Sequence, residues 1–372
     1  MVVVQRSAAH LRMKPFRVLN LDGGGMRGVY TAQYLSCVAE GFSRRFDRRP
    51  LDIGKGFDLI VGTSTGAIVA CALVSGVPLS EVVALYRESG KLIFPRPVPA
   101  AKRDVAVDLF KRRAALKRGN AALEEILTAS FKKETIGEVY ARRGIALAVT
   151  AVNLSNHRGW VFKTPHRVGK TNHRDDGYTL VEVCLASSAA PIYRSVAAIP
   201  VPGTKDQTMF IDGGLWANNP ILVGLIDALE IAAPGQLIDM YSLGTCPRPS
   251  GTFIMPNDVH RGLLEWKFGA ETTAIAIDAQ EFTFDQMARL LIPHLKNPCT
   301  ITRFPREAVP AEMMQYLDLD DTREKSSAAL LSLARTDADL TNSKCCDASN
   351  PEGVRVKQLF ESMPEITEEK RR

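Results

Sequence analysis

Two glycine-rich turns, each placed directly after a short apolar segment, constrain the fold of this chain more than any other feature. The first turn, Asp22-Gly23-Gly24-Gly25-Met26-Arg27-Gly28, follows residues 16–21. The second turn, Gly62-Thr63-Ser64-Thr65-Gly66, follows residues 57–61. A segment with helical character comes after each turn, so both turns are predicted to join a strand to a helix.

The same alternation of strand-like and helix-like segments continues through the first two thirds of the chain. Strands are predicted at residues 16–21, 57–61, 145–152, 160–163, 209–211 and 237–243. Helices are predicted at residues 31–45, 67–74, 79–89, 122–131 and 221–232. Such alternation is typical of an α/β fold with three layers, in which helices cover both faces of a mainly parallel central sheet.

Beyond about residue 250 the strand signals fade and helical patterns take over. The helices predicted there are at residues 262–268, 278–291 and 326–333. We therefore expect a first domain at residues 16–245 and a mainly helical C-terminal region at 246–372 that packs on it.

Composition and charge are those of a soluble globular chain. Of the 372 residues, 45% are hydrophobic and 24% charged, and the formal net charge of +6 is modest for this length. No apolar run approaches the ~20 residues of a membrane span, so any membrane contact is expected to be peripheral. The seven cysteines form no CxxC or zinc-binding spacing, which favours reduced thiols in a cytosol.

The second turn has the spacing of a nucleophile elbow. Ser64 lies between Gly62 and Gly66, and the two glycines allow a sharp turn without clashes against the neighbouring strand and helix. Ser64 would then project at the N-terminus of an apolar helix, whose partial positive charge favours a developing oxyanion. The plainer alternative is a tight turn between two buried elements.

The first turn has two interpretations. Gly23, Gly25 and Gly28 have the spacing of a dinucleotide-binding fingerprint, but Asp22 would repel a pyrophosphate and no strand about twenty residues on ends in an acidic residue. Alternatively, the N–H groups of Gly24 and Gly25 bind an oxyanion, and Arg27 steadies the loop or adds positive charge.

A serine nucleophile needs a base, and the histidines offer no clear one. Those after Ser64 are at positions 157, 166, 173, 260 and 294, and none stands in a pattern that marks a triad. Asp212 is the better candidate, because it ends a short apolar strand and two glycines, Gly213 and Gly214, follow it. Partial burial would raise the proton affinity of its carboxylate. Asn218 lies a turn further on and could brace this loop.

Taken together, these motifs resemble the patatin-like phospholipase family. Residues 22–28, 62–66 and 212–214 match the three motifs of that family in order, and residues 186–191 and 242–245 also look like it. At Cys246 the family often has glycine. The resemblance implies a Ser64–Asp212 dyad without histidine, an oxyanion hole within residues 23–28, phospholipids or other acyl lipids as substrates, and no metal or cofactor.

A narrower resemblance concerns residues 162–166 and 185–191, which look like bacterial patatin phospholipases switched on by cyclic nucleotides in anti-phage defence. It implies a cytoplasmic enzyme that acts at the inner face of the membrane, with a cyclic dinucleotide activator and no nucleic acid polymer as partner. The basic segment 102–118 could bind the activator's phosphates or face the membrane. Two other functions stay open: a Ser64–Asp212 esterase completed by His260 or His294, and a non-catalytic nucleotide-binding or storage protein.

Overall fold

The computed structural model describes residues 13–96, 102–167, 173–246, 270–305 and 309–366, with short pieces at 254–255, 259–262 and 266. Eight strands lie within these residues: β1 (Phe16–Leu21), β2 (Leu59–Thr63), β3 (Ala146–Asn153), β4 (Arg158–Lys163), β5 (Ala197–Pro200), β6 (Gln207–Asp212), β7 (Ile238–Leu243) and β8 (Cys299–Phe304).

The eight strands form one mixed sheet in the order β5-β6-β3-β2-β1-β7-β8, and β4 also pairs with β3. The five strands from β3 to β8 along this order are parallel, whereas β4, β5 and β6 are joined by antiparallel pairings. Every residue of β1, β2 and β7 is buried, as expected when both faces of a sheet are covered. The prediction of a mainly parallel α/β sheet is confirmed.

Eleven α-helices accompany the sheet in the described residues. They are α1 (Gly28–Arg45), α2 (Thr65–Ser75), α3 (Leu79–Ile93), α4 (Lys102–Phe131), α5 (Ile136–Arg143), α6 (Leu180–Ser187), α7 (Gly214–Ala217), α8 (Ile221–Ile231), α9 (Ala270–Leu291), α10 (Glu324–Lys344) and α11 (Pro351–Glu361). None of these helices is both long enough and apolar enough to cross a bilayer.

Two apolar cores separate the layers. Leu19 and Ile60 point into the core shared with α1 and α2, while Val18 and Leu59, their neighbours along the strands, point into the core shared with α8. Helix α2 is buried from Thr65 to Val74, as its apolar sequence predicts. This central helix carries the second glycine turn at its N-terminus.

The C-terminal region departs from its prediction at one element. Strand β8 lies at the edge of the sheet, parallel to β7, where only helices were expected. The alternation of apolar and polar residues over 299–304 is typical of a half-buried strand, so this element was missed despite a local signal. Thr300 donates a hydrogen bond to Asp239 of β7, and Arg303 binds Asp22 in the turn after β1. The domain division at residue 245 stays a prediction.

Several element boundaries also differ. The basic segment 102–118 forms one 30-residue helix with the predicted helix 122–131, because Lys, Arg, Ala and Leu favour helix and no proline interrupts them. Elements β5, α5, α6, α7 and α11 were not predicted. Most of the helix expected at 262–268 lies outside the described residues.

Candidate active site

Ser64 stands at the turn between β2 and α2 with φ 54° and ψ −120°. A left-handed φ is costly for a residue with a side chain and persists where the surroundings impose it, often at functional sites. The flanking glycines make the turn possible, since a Cβ on Gly62 would lie 2.5 Å from the carbonyl oxygen of Gly66. A Cβ on Gly66 would overlap the carbonyl oxygen of Leu21. The strand and the helix therefore approach too closely for any other residue.

Sheet register brings Asp212 to this serine. Thr150 of β3 pairs with Thr63 of β2 on one edge and with β4 on the other. The next residue, Ala151, keeps its β4 partner but pairs with Asp212 of β6. Strand β6 therefore replaces β2 as the partner on this edge of β3, directly after the point where β2 ends and Ser64 follows.

The two side chains are directly hydrogen-bonded. Ser64 Oγ donates to Asp212 Oδ2 at 2.6 Å. The other carboxylate oxygen, Oδ1, accepts the N–H of Gly214 at 2.6 Å. Gly213 is required next to it, because a Cβ there would overlap Thr150. The carboxylate is thus oriented from both sides, with one oxygen facing the hydroxyl.

Burial sets the acidity of Asp212. Its side chain is buried, which raises its pKa from 3.8 to about 6. The hydrogen bonds from Ser64 and Gly214 and the charge of Arg194 oppose this effect and limit its size. Arg194 is itself buried, and its guanidinium donates to the carbonyl oxygens of Ile93 and Gly119. The carboxylate is a stronger base than a free aspartate, yet largely ionised at neutral pH.

The first glycine turn lies beside Ser64, so that a Cβ on Gly23 would be 3.2 Å from Ser64 Cβ. The N–H of Gly23 donates to Asn218 at 3.0 Å, that of Arg27 donates to Gly24 at 3.1 Å, and that of Gly28 is used in the same short 3₁₀ turn. Within the described residues, the N–H groups of Gly24 and Gly25 have no acceptor. Within the loop 23–28, where the oxyanion hole was expected, Gly24 and Gly25 retain free backbone donors.

Asp22 anchors this loop instead of facing a ligand. Its carboxylate is fully buried and accepts a hydrogen bond from Arg303 of β8 at 2.5 Å. Burial disfavours the charge on Arg303, but the carboxylates of Asp22 and Glu281 more than compensate and raise the pKa of Arg303 above its ordinary value. Glu281 of α9 binds the same guanidinium at 2.7 Å. The first turn is therefore held by a buried ion pair from the C-terminal region.

The loop after Asp212 is held by the same helix. Glu281 accepts a hydrogen bond from Asn218 Nδ2 at 3.1 Å, and Gln280 accepts from the N–H of Asn218 at 2.7 Å. Asn218 Nδ2 also lies 3.3 Å from the carbonyl oxygen of Gly23. Sequence reasoning noted Asn218 as a brace but missed Glu281 and Arg303, because no local motif connects them to the glycine turns.

Ser187 is a further residue whose role was missed. Its Oγ accepts the N–H of Ser64 at 2.8 Å and so supports the strained turn. Ser187 belongs to the stretch 186–191 that looks like the family, and this was its sequence signal.

The histidines lie elsewhere. His166 is buried between Thr164 Oγ1, 2.6 Å from its Nδ1, and Asp227. His173 contacts Asp176 near the surface. In the part of the chain that the structure describes, no histidine lines the cavity that contains Ser64 and Asp212.

That cavity has a volume of about 170 Å³ and a mainly apolar wall. Gly24, Gly25, Ser64 and Asp212 line it. Its apolar wall includes Ile68, Ile93, Phe94, Leu123, Ile277 and Leu319. Such a wall suits a hydrocarbon chain whose carboxyl end reaches the serine.

A serine at a strained strand-to-helix turn, on a mainly parallel sheet and next to free backbone donors, is typical of the α/β class of serine hydrolases. Comparison with known proteins gives the family: residues 19–225 match the patatin-like phospholipase family. The chain belongs to this family, as its three motifs indicated, and is a hydrolase of lipid esters.

Three relatives are informative. The chain is 35% identical over 277 residues to the cGAMP-activated phospholipase of Pseudomonas aeruginosa, and the aligned region covers 74% of each chain. It is 33% identical over 335 residues to the enzyme of the same name from Vibrio cholerae, covering 86% of this chain and 89% of that one. The cUMP-AMP-activated phospholipase of Escherichia coli is 25% identical over 309 residues, covering 81% and 85%.

Proposed function

We propose that this protein is a phospholipid acyl hydrolase whose catalytic machinery is a Ser64–Asp212 dyad. The observation that carries this proposal is the 2.6 Å hydrogen bond between Ser64 Oγ and a buried, doubly oriented carboxylate. No histidine is needed, because the raised pKa of Asp212 lets the carboxylate accept the hydroxyl proton itself.

The proposed reaction has two halves. As the Ser64 oxygen attacks the ester carbonyl carbon, its proton passes to Asp212, and the N–H groups of Gly24 and Gly25 bind the oxyanion. The ester C–O bond then breaks, and Asp212 returns the proton to the departing alcohol oxygen. A water molecule attacks the acyl-enzyme, gives one proton to Asp212, and releases the fatty acid as the proton returns to Ser64.

We also propose that a cyclic dinucleotide activates the enzyme. The relatives named as cGAMP-activated and cUMP-AMP-activated phospholipases support this step, since they cover most of the chain. By extension, the enzyme degrades membrane phospholipid as an anti-phage effector, working in the cytoplasm and at the inner face of the membrane. The cationic first half of α4, at residues 102–118, is one candidate for the activator's phosphates.

A panel of diacyl phospholipids, assayed with and without cyclic dinucleotides, tests both proposals. We expect release of free fatty acid that cyclic GMP–AMP or a related dinucleotide increases at least tenfold. We expect none from Ser64→Ala. Full activity in Ser64→Ala would reject the dyad, and high basal activity that no dinucleotide alters would reject the activation.

A further inference from the structure

The mouth of the catalytic cavity carries exposed aliphatic side chains. Ile192 and Leu215 line the cavity and are also 48% and 40% exposed. Three more exposed aliphatic residues, Leu92, Val196 and Ile275, lie within two residues of cavity-lining positions. We call these five residues the rim. Exposed aliphatic residues that line an apolar cavity, or stand within two positions of residues that line it, differ from the isolated apolar residues normal on any protein.

Ile192 is held there against its backbone preference. Its φ is 75°, a left-handed value that is uncommon for any residue with a side chain and an outlier for a β-branched one. Its carbonyl oxygen accepts a hydrogen bond from Arg112 of α4 at 3.1 Å. Glycine or asparagine would suit this backbone better, and the exposed side chain gains little from packing. A strained, exposed isoleucine at the cavity mouth points to a role for the side chain itself.

Positive charge lies beside the rim. Arg112 contacts the Ile192 loop, and Lys111, Arg113 and Lys117 of the same helix are exposed. Residues 111–118 contain five Lys and Arg and no acidic residue. Cations next to exposed aliphatic groups are the combination that binds an anionic bilayer, where headgroups attract the charges and the acyl region accepts the apolar groups.

We propose that the rim and the cations of α4 at residues 111–118 form a docking surface for an anionic phospholipid bilayer. This inference rests on the proposed function, because the surface surrounds the cavity that would receive the acyl chain. Docking there places the cavity mouth against the lipid, so that a substrate molecule reaches Ser64 without crossing water.

Flotation with phosphatidylglycerol-rich vesicles tests the surface independently of hydrolysis. The protein carries Ser64→Ala so that the vesicles stay intact, and cyclic GMP–AMP is present. In that background we expect Leu92→Gln with Ile275→Gln to lower vesicle affinity about tenfold. The matched control is Ile226→Gln, another exposed helical isoleucine, 55% exposed but outside the cavity lining, and it should bind as the parent does.

Two further sets of variants separate the contribution of the charges from that of Ile192. Lys111→Gln with Arg113→Gln should weaken binding about fivefold per charge, whereas Lys132→Gln with Lys133→Gln, beyond the far end of α4, should not. Ile192→Asn, which suits a left-handed φ, should lower vesicle affinity without loss of stability. Vesicles of phosphatidylcholine alone should bind more weakly than anionic ones, and added salt should remove the difference.

Equal flotation of the rim double variant and its parent overturns the proposal. The proposal is also overturned if sedimentation shows that the rim variants lose self-association while their vesicle binding is unchanged. The rim would then contact a second copy of the chain. Hydrolysis of a monomeric short-chain ester by protein with intact Ser64 distinguishes a failure of the proposed function from a failure of the docking surface. If wild type cleaves neither this ester nor vesicles, the proposed function fails, while flotation still decides the docking surface.

Discussion

Ser64 and Asp212 are 148 positions apart in the chain, and their side-chain oxygens are 2.6 Å apart in the fold. The contact depends on a change of partner along β3, where β6 succeeds β2 on the same edge between Thr150 and Ala151. The serine at the end of one strand and the aspartate at the end of another therefore meet at a single step of the sheet. A shift of β6 by one residue would turn Asp212 to the other face.

The pH dependence of activity should report Asp212. Its carboxylate must be ionised to accept the proton of Ser64, and burial raises its pKa to about 6. We therefore expect kcat/KM for a soluble ester to fall tenfold per pH unit below about pH 6. An aspartate with an ordinary pKa near 3.8 would keep full activity at pH 5, so a flat profile down to pH 5 would contradict this assignment.

Asp212→Asn should lower activity without lowering stability. The amide cannot take a proton, so kcat should fall by about 10³-fold or more. The folded-state pKa lies above the unfolded value, so the ionised carboxylate destabilises the fold at neutral pH, and that cost decreases as the pH falls from about 6 to about 4. We expect the variant to unfold at equal or higher denaturant concentration at pH 7. Asp206→Asn, at an exposed turn residue, should change neither quantity.

Ser187→Ala should weaken the turn that presents Ser64. The buried N–H of Ser64 would lose its acceptor, which costs about 1–3 kcal/mol. The adjacent Ser188→Ala is the comparison, because Ser188 Oγ bonds only a helix carbonyl at 2.7 Å and its loss should cost less than 1 kcal/mol. Urea unfolding measures both. Equal stabilities of the two variants would show that Ser187 does not support the turn.

Glu281→Gln should loosen both active-site loops at once. The neutral amide weakens the contacts to Arg303 and Asn218, which hold the glycine turn and the loop after Asp212. We expect kcat to fall about tenfold with little change in KM, since Glu281 itself does not line the cavity. Glu361→Gln makes the same chemical change at an exposed pair with Lys357 and serves as control. A change confined to stability, with normal kcat, would assign Glu281 a purely structural role.

Replacing His260 and His294 together by alanine should leave ester turnover unchanged. Neither lines the cavity of Ser64 and Asp212. Two other histidines, His166 and His173, contact Asp227 and Asp176 instead. A loss of turnover above tenfold in a folded double variant would restore the triad mechanism.

The sequence was sufficient to predict those parts of the site in which the reactive residue and the turn that holds it lie in one short segment. Gly62, Ser64 and Gly66 encode a turn that few other residues could form, and the apolar pattern of α2 predicts its burial. Asp212 was found because glycines follow a carboxylate at the end of a strand.

The supporting contacts were not predictable from local patterns. Arg303 reaches Asp22 from β8, 281 positions away, and no local motif connects the two residues. Glu281 looks like any acidic residue on a helix until α9 is docked. Such pairings depend on tertiary packing, which single-sequence periodicity does not contain.

The central claim is that Ser64 is a nucleophile activated by Asp212. Its most direct test is the rate at which a fluorophosphonate modifies the protein, followed by intact mass and peptide mapping in wild type, Ser64→Ala and Asp212→Asn. We predict one adduct on Ser64 in wild type, none in Ser64→Ala, and labelling of Asp212→Asn slowed at least a hundredfold. An adduct on another residue, or wild-type labelling of Asp212→Asn, would contradict the dyad.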